Sequence, residues 1–264
     1  MKTKIEKLIA ILKSQKRLLV AFSGGVDSTL LLHFAAKVLG KKNVLAVTAT
    51  SETYCRKELM QAKITAKKNG VKHLVIKTSE LKNKNFKANS PRRCFYCKNE
   101  LFAKLKQIAR KNLMTLCDAN NFSDLSDYRP GRIAAKKHNV LSPLEEAGFI
   151  KEDIRKLAKI EKLSNWNTPA QACLASRIPY GTPITKNALE KVYKAEEALK
   201  KLGFKIVRVR HHGIIARIEI GEEEINKAFQ KDIKANILKS LKKLGWAYVT
   251  VDLNGYRTGS LNIF

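Results

Sequence analysis

The sequence predicts an α/β protein: a parallel sheet flanked by helices, followed by a smaller α+β domain. Three observations carry that expectation. Short apolar runs alternate with helix-like runs through the first half of the chain. A glycine turn, Ser23-Gly24-Gly25-Val26-Asp27-Ser28, joins the first of those strand-like runs to a long helical one. From about Lys186 the alternation gives way to a helix, two strands, a second helix and a last strand.

The elements follow in order. The opening segment is amphipathic and charged and lacks a clean apolar stretch with a small-residue cleavage site. It reads as a first helix and not as a signal peptide. Strands are expected at Leu18–Phe22, Val44–Ala49, His73–Lys77 and Leu113–Cys117, with helices at Ser28–Leu39, Arg56–Lys68 and Tyr96–Lys111. Strands separated by helices imply βαβ units and a parallel sheet. The glycine turn then sits at the carboxyl end of the first strand, where open α/β sheets bind ligands. Between about residues 120 and 183 the chain is irregular and proline-rich, apart from a helix at Lys151–Leu163, and such loops build substrate pockets. Beyond it come a helix Asn187–Leu202, strands Lys205–Arg210 and Ile214–Ile220, a helix Glu222–Leu244 and a strand Ala247–Leu253, read as an antiparallel sheet with helices. The expected division is residues 1–183, carrying the glycine turn and the pocket loops, and residues 184–264, for substrate binding or oligomerisation.

At 264 residues, with 44% hydrophobic and 28% charged residues, the composition is that of a soluble globular protein. No apolar run approaches the roughly 20 residues needed to span a bilayer, so a cytoplasmic location and no membrane partner are expected. The formal net charge of +29 attracts polyanions, RNA among them. The lysines spread along the whole chain, however, and form no arginine-rich or aromatic-interleaved tract. They read better as a lysine-rich surface, and a nucleic-acid partner is not expected. Five cysteines, an odd number, argue against a disulfide framework.

The glycine turn carries the chemistry. Two glycines let backbone N–H groups crowd around an anion, and the helix that follows adds its positive N-terminal end. Ser23, Ser28 and Thr29 supply hydroxyls, and Asp27 is placed to cap the helix or to help hold Mg²⁺. The turn lacks the Gly-Lys-Ser/Thr ending of a Walker A loop and the dinucleotide glycine spacing.

Three cysteines form the second constellation. Cys94 and Cys97 make a C-x-x-C that reads equally as half a zinc site, a redox pair or two packed thiols. Cys173 adds a third thiol. Three thiolates can hold three irons of a [4Fe–4S] cluster and leave the fourth open. In the alternative, Cys94 and Cys97 pack at a helix start and Cys173 alone is functional. Arg177 either lowers the Cys173 pKa or pairs with a structural carboxylate. Arg208 and Arg210 alternate along a strand and so share a face suited to a phosphate or carboxylate; otherwise they lie on a solvated face. Arg257, in the polar loop after the last strand, is placed to reach the same ligand. His33 and His73 read as structural.

The glycine turn resembles the pyrophosphate loop of the ATP pyrophosphatase superfamily, with its adenine-nucleotide α-hydrolase-like fold. Longer matches narrow this: SGGVDSTLLL, RCFYCK, DLSDYRPG, LSPL with EAG, CLASRIPYGTPIT, RVRHH and DLNGYRTGSLN run nearly end to end. The chain resembles the LarE family of ATP-dependent sulfur transferases. The resemblance implies that ATP is bound by Ser23, Gly24, Gly25, Asp27 and Ser28 with Mg²⁺. It implies that a carboxylate of a pyridinium biscarboxylate mononucleotide is adenylated and then receives sulfur. In the single-cysteine form of the family, the cysteine matching Cys173 gives up its sulfur and becomes dehydroalanine. In the other form, cysteines matching Cys94, Cys97 and Cys173 hold a [4Fe–4S] cluster. A homo-oligomer is expected. Asp118-Ala119-Asn120-Asn121 departs from the more usual Asp-Gly-Thr-Asn, and Ser123 stands where an acidic residue is common. A tRNA thiolase of the same superfamily, or a nucleic-acid-binding protein with a vestigial loop, is the competing reading.

Overall fold

The structure is a computed structural model that describes residues 1–54, 56–125, 130–168 and 172–257. Cys55, much of the DLSDYRPG motif, and the chain beyond Arg257 lie outside the described residues. Two compact units emerge. The first comprises residues 1–80 and 92–171; the second comprises residues 81–91 and everything from Ala172 onward.

The first unit is built on β1 (Leu18–Ala21), β2 (Val44–Thr50), β3 (Lys72–Lys77) and β4 (Thr115–Cys117), in the order β3-β2-β1-β4 and parallel throughout. Side-chain alternation explains its two covered faces. Leu18, Val20, Val44 and Ala46 point into a core with α1 (Lys2–Lys13), α2 (Val26–Leu39), α3 (Arg56–Lys68) and α8 (Lys151–Ile160). Leu19, Leu45 and Val47 point the other way, against Phe102 and Leu105 of α5 (Arg93–Lys111) and Ala134 of α6 (Gly131–Lys137). Strands buried on both faces read as near-continuous apolar runs, which is why they were visible in the sequence. The short α7 (Pro143–Glu146) follows α6. The chain leaves β1 toward β2 and β3, then returns to place β4 on the other side of β1. The strand order therefore reverses between β1 and β4, and their carboxyl ends open a crevice.

The second unit holds α4 (Lys84–Lys87), α9 (Lys186–Lys201), β5 (Val207–His212), β6 (Ile215–Ile220), α10 (Lys231–Lys243) and β7 (Tyr248–Val251). Two expectations need correction. The sheet is mixed: β5 and β6 are antiparallel, but β7 joins β6 in parallel, because the connection through α10 returns the chain to the same end. The long helix expected over 222–244 is a 3-10 helix, Glu222–Phe229, and then α10, separated by Gln230 in an extended conformation. No helix among the described residues is long and apolar enough to cross a membrane.

Val207, Val209, Ile218 and Ile220 are fully buried on one face of the β5–β6 pair. The opposite face carries Arg208, Arg210, Arg217 and Glu219. Glu219 has no exposed surface and accepts from Arg210 Nη2 at 2.6 Å. Arg217 lies 3.3 Å from its other oxygen and also donates to Asp252 at 2.7 Å. Removing one partner of a buried pair strands the other charge. Arg210→Ala is therefore expected to destabilise folding by about 3 kcal/mol, read as a lower denaturant midpoint. A loss under about 1 kcal/mol would show that Arg217 alone satisfies Glu219.

Candidate active site

The first unit's site is assembled around Asp27. The loop from Ser23 to Gly25 follows β1, and Gly25 caps α2. Gly24 has φ +80, in the left-handed region, and a Cβ there would come within 3.0 Å of Ala62 Cα in α3. Both constraints require glycine. Ser28 Oγ donates to Gly25 O at 3.1 Å and lies 3.1 Å from Ser23 Oγ. The buried Thr29 follows, its amide donating to Gly25 O. The loop is thus tied to the first turn of α2, whose leading N–H groups have no intrahelical acceptor and favour an anion.

Three residues that sequence reasoning gave no role complete this site. Lys151, at the start of α8, donates to both Asp27 oxygens at 2.5 and 2.7 Å. Asn121, after β4, donates to Asp27 Oδ2 at 3.2 Å. Asn165 is buried, and its Nδ2 donates at 2.9 Å to both Gly24 O and Thr29 Oγ1. A trans peptide points its C=O and N–H in opposite directions. Holding Gly24 O inward therefore turns the Gly25 N–H outward, toward Ser23 Oγ at 3.3 Å. All three residues are separated from the loop by about a hundred positions or more, so no local pattern announced them.

Asp118 in the second crevice loop is buried and accepts from Ser142 Oγ, Asn120 N and Asn120 Nδ2. Burial pushes its carboxyl up, while the Ser142 bond, the nearby Lys98 charge and the Asn120 amide pull it back. The departure from the usual loop sequence thus leaves a self-contained turn. Cys117 beside it is fully buried and donates to Leu19 O; burial pushes its thiol up, and it is inert. His33 contacts Asn69 and Glu161, and His73 contacts Thr48, as structural side chains do.

Cys94 and Cys97 stand in the first turns of α5, three residues apart and so on one face. Cys94 is exposed; Cys97 is half-buried and its thiol lies 3.6 Å from Oε1 of the buried Glu80. Two thiols at a positive helix end suit thiolate ligands. Among the described residues no three His, Cys, Asp or Glu side chains are grouped to hold a metal ion.

Cys173 belongs to the second unit. It is exposed and precedes a 3-10 turn, Leu174–Arg177. Arg177 is buried and doubly paired with Glu196 of α9, at 2.7 and 2.9 Å. Its Nη1 also donates to Ala172 O and Cys173 O. Burial alone would lower its pKa, but Glu196 holds it above the ordinary value. The structural-carboxylate reading of Arg177 is thus correct, and the same guanidinium fixes the cysteine's backbone. Glu196 further accepts from Val209 N on β5, and Arg210 Nη1 donates to Ser176 O. The cysteine segment is thereby fastened to the arginine strand.

Arg208 and Arg210 are both buried, so theirs is not a solvated face. Arg210 serves Glu219 and Ser176. Among the described residues Arg208 donates to Val207 O alone and lies 5.2 Å from the Tyr256 ring. Burial, then the neighbouring Arg177 charge, lowers its pKa, with Glu196 opposing. Among the described residues Arg177, Arg210 and Arg217 each meet a carboxylate of Glu196, Glu219 or Asp252, and Arg208 meets none. The loop after β7 brings Tyr256 to it through the Tyr256 N to Ile220 O bond of 2.7 Å. Gly255 must be glycine, since a Cβ would lie 2.8 Å from that carbonyl. Arg257 follows, exposed.

The PP-loop domain family matches residues 1–115. An uncharacterised protein of Synechocystis is 40% identical over 99% of this chain and 98% of its own length. A pyridinium-3,5-bisthiocarboxylic acid mononucleotide synthase of Lactiplantibacillus plantarum is 40% identical over 98% of this chain and 94% of its own. An uncharacterised protein of Methanocaldococcus jannaschii is 30% identical over 92% of each.

Asn165→Ala removes two hydrogen bonds of about 1 kcal/mol each. It is expected to raise the ATP KM about 10-fold and, because both bonds are buried, to lower the melting temperature by a few degrees. An unchanged ATP KM would show that the loop holds its shape without Asn165.

Proposed function

Because the chain belongs to the LarE family of PP-loop enzymes, we propose that it adenylates a carboxylate of a pyridinium biscarboxylate mononucleotide and replaces the activated oxygen with sulfur. It is an ATP-dependent enzyme of PP-loop type. The observation that supports the sulfur step is an exposed Cys173 thiol on a segment fastened by Arg177 and Arg210.

The loop from Ser23 to Ser28 receives the β- and γ-phosphates against the start of α2. Asp27 would hold Mg²⁺, which supplies charge neutralisation on the phosphates. Lys151 satisfies the Asp27 carboxylate; if Asp27 held the metal, the Lys151 ammonium would be free to meet a phosphate oxygen. A substrate carboxylate oxygen attacks the α-phosphorus and pyrophosphate leaves, giving an acyl adenylate. Sulfur then attacks the acyl carbon, and the C–O bond to AMP breaks.

Two sulfur sources fit the family. In the sacrificial route the Cys173 Sγ attacks the acyl carbon. The Cys173 Cα proton is then lost and the Cβ–Sγ bond breaks, leaving a thiocarboxylate and dehydroalanine. In the other route Cys94, Cys97 and Cys173 would hold a [4Fe–4S] cluster, whose contribution would be to supply the sulfide. The three thiols match the family pattern together, but among the described residues they are not grouped to hold a metal. Arg208, with Arg210 and Arg257, binds the substrate phosphate or free carboxylate; Arg210 is also committed to Glu219, so Arg208 is the cleaner test.

Two results test this reading. Cys173→Ser should stop sulfur transfer and leave pyrophosphate release intact. Cys94→Ala and Cys97→Ala should be as damaging if a cluster is built and mild if Cys173 is sacrificial. Sulfur transfer by Cys173→Ser would reject both routes. Arg208→Ala should raise the acceptor KM about 10-fold or more, since a charge-assisted contact is worth about 1.5–3 kcal/mol. ATP KM should not move; an equal rise in both would reject a separate acceptor site.

A further inference from the structure

The amino ends of the parallel strands, at the opposite edge of the sheet from the glycine loop, carry a cavity of about 340 Å³. Its lining comes from the residues that lead into each strand. Arg17 precedes β1, Lys41 and Lys42 precede β2, Gly70 and Lys72 lead into β3, and Asn112 and Met114 precede β4. Val44 and Leu45, both buried, form part of its floor. Pockets for small organic ligands begin at about 300 Å³, so the volume suits a molecule of roughly mononucleotide size.

Its electrostatics are one-sided. Four cations line it, and no acidic residue does. Elsewhere in this unit Lys4, Lys37, Lys104 and Lys151 each meet a carboxylate. Among the described residues Arg17, Lys41, Lys42 and Lys72 meet none. One of the four is also held in place, and a second depends on a glycine. Arg17 Nη1 donates to Asn112 O at 2.7 Å, which fixes the guanidinium against the turn before β4. Lys41 lies across Gly70, which has φ +65; a Cβ there would come within 3.0 Å of Lys41 Cδ and Nζ. A side chain at position 70 would displace that ammonium. Like charges gathered around a concave surface raise the local potential and cost stability when nothing neutralises them. An anion removes that cost, and the entropic cost of fixing Arg17 has already been met by its bond to Asn112 O.

We propose that this cavity is a second anion site, taking the phosphate group of a small phosphorylated molecule, separate from the glycine loop. The phosphate sits among Arg17, Lys41, Lys42 and Lys72, and any apolar part of the ligand lies on Val44, Leu45 and Met114. The bidentate fork of Arg17 and the ammonium groups provide charge-assisted donors.

The test is equilibrium dialysis of the full chain with AMP in one arm and inorganic pyrophosphate in the other, at physiological salt. Wild-type protein should show two classes of site per chain. Lys41→Glu/Lys72→Glu should weaken one class by about 10-fold or more and leave pyrophosphate release during turnover unchanged. A control, Lys239→Glu/Lys243→Glu on α10, makes the same change in net charge and should keep both classes. Binding of AMP more tightly than pyrophosphate at the cavity assigns a nucleotide; the reverse order assigns a bare phosphate anion. One class of site in the wild type would overturn the proposal. So would equal weakening in the control, which would reduce the effect to the field of the whole protein.

Discussion

The buried Glu196 carboxylate is the constraint on which the second unit depends. From α9 it accepts from Arg177 Nε and Nη2 and also from the outward N–H of Val209 on the edge strand β5. One carboxylate thereby joins a helix, a strand and the turn that follows Cys173. A buried charge is costly unless it is paired and its remaining lone pairs are filled, and Glu196 meets that condition through three donors from two residues. With Arg177 fixed, the carbonyls of Ala172 and Cys173 are fixed too. The thiol is left exposed on a rigid backbone, an arrangement that suits a sulfur atom that must reach a reacting carbon in one orientation.

The first unit solves a different problem. A phosphate-binding loop must expose N–H groups to an anion and still keep its shape when empty. Gly24 supplies the backbone conformation, Ala62 limits it from one side, and Asn165 holds its carbonyl from the other. Lys151 neutralises Asp27 in the absence of other cations. These supports come from α3, α8 and the segment after α8, so the loop's geometry is a property of the whole unit.

Much of the fold was legible in the sequence for a definite reason. The strands of the first sheet are covered on both faces, so they appear as compact apolar runs, and the glycine turn marks where the first ends. The parallel pairing of β7 was not legible, because alternation in a strand gives its faces and not its direction. The break at Gln230 was hidden because residues 222–229 keep a helical apolar spacing that a 3-10 helix also satisfies. The motifs from Ser23 to Ser28 and around Cys173 stand out locally, since each is contiguous. Lys151, Asn165 and Glu196 do not, because their roles arise only when distant segments meet. The alternation of Arg208 and Arg210 gave their shared face, but only the structure shows Arg210 bound to Glu219 and Arg208, among the described residues, without a carboxylate.

The central claim is that ATP activates a carboxylate by forming an acyl adenylate before sulfur arrives. It can be tested by following oxygen. Substrate carrying heavy-isotope oxygen in its carboxylate is turned over once, and the released AMP and pyrophosphate are weighed by mass spectrometry. The account predicts one labelled oxygen in the phosphate of AMP and none in pyrophosphate, because the carboxylate oxygen bonds to the α-phosphorus and stays there when the C–O bond breaks. Label in pyrophosphate, or unlabelled AMP alongside a sulfur-containing product, would contradict it.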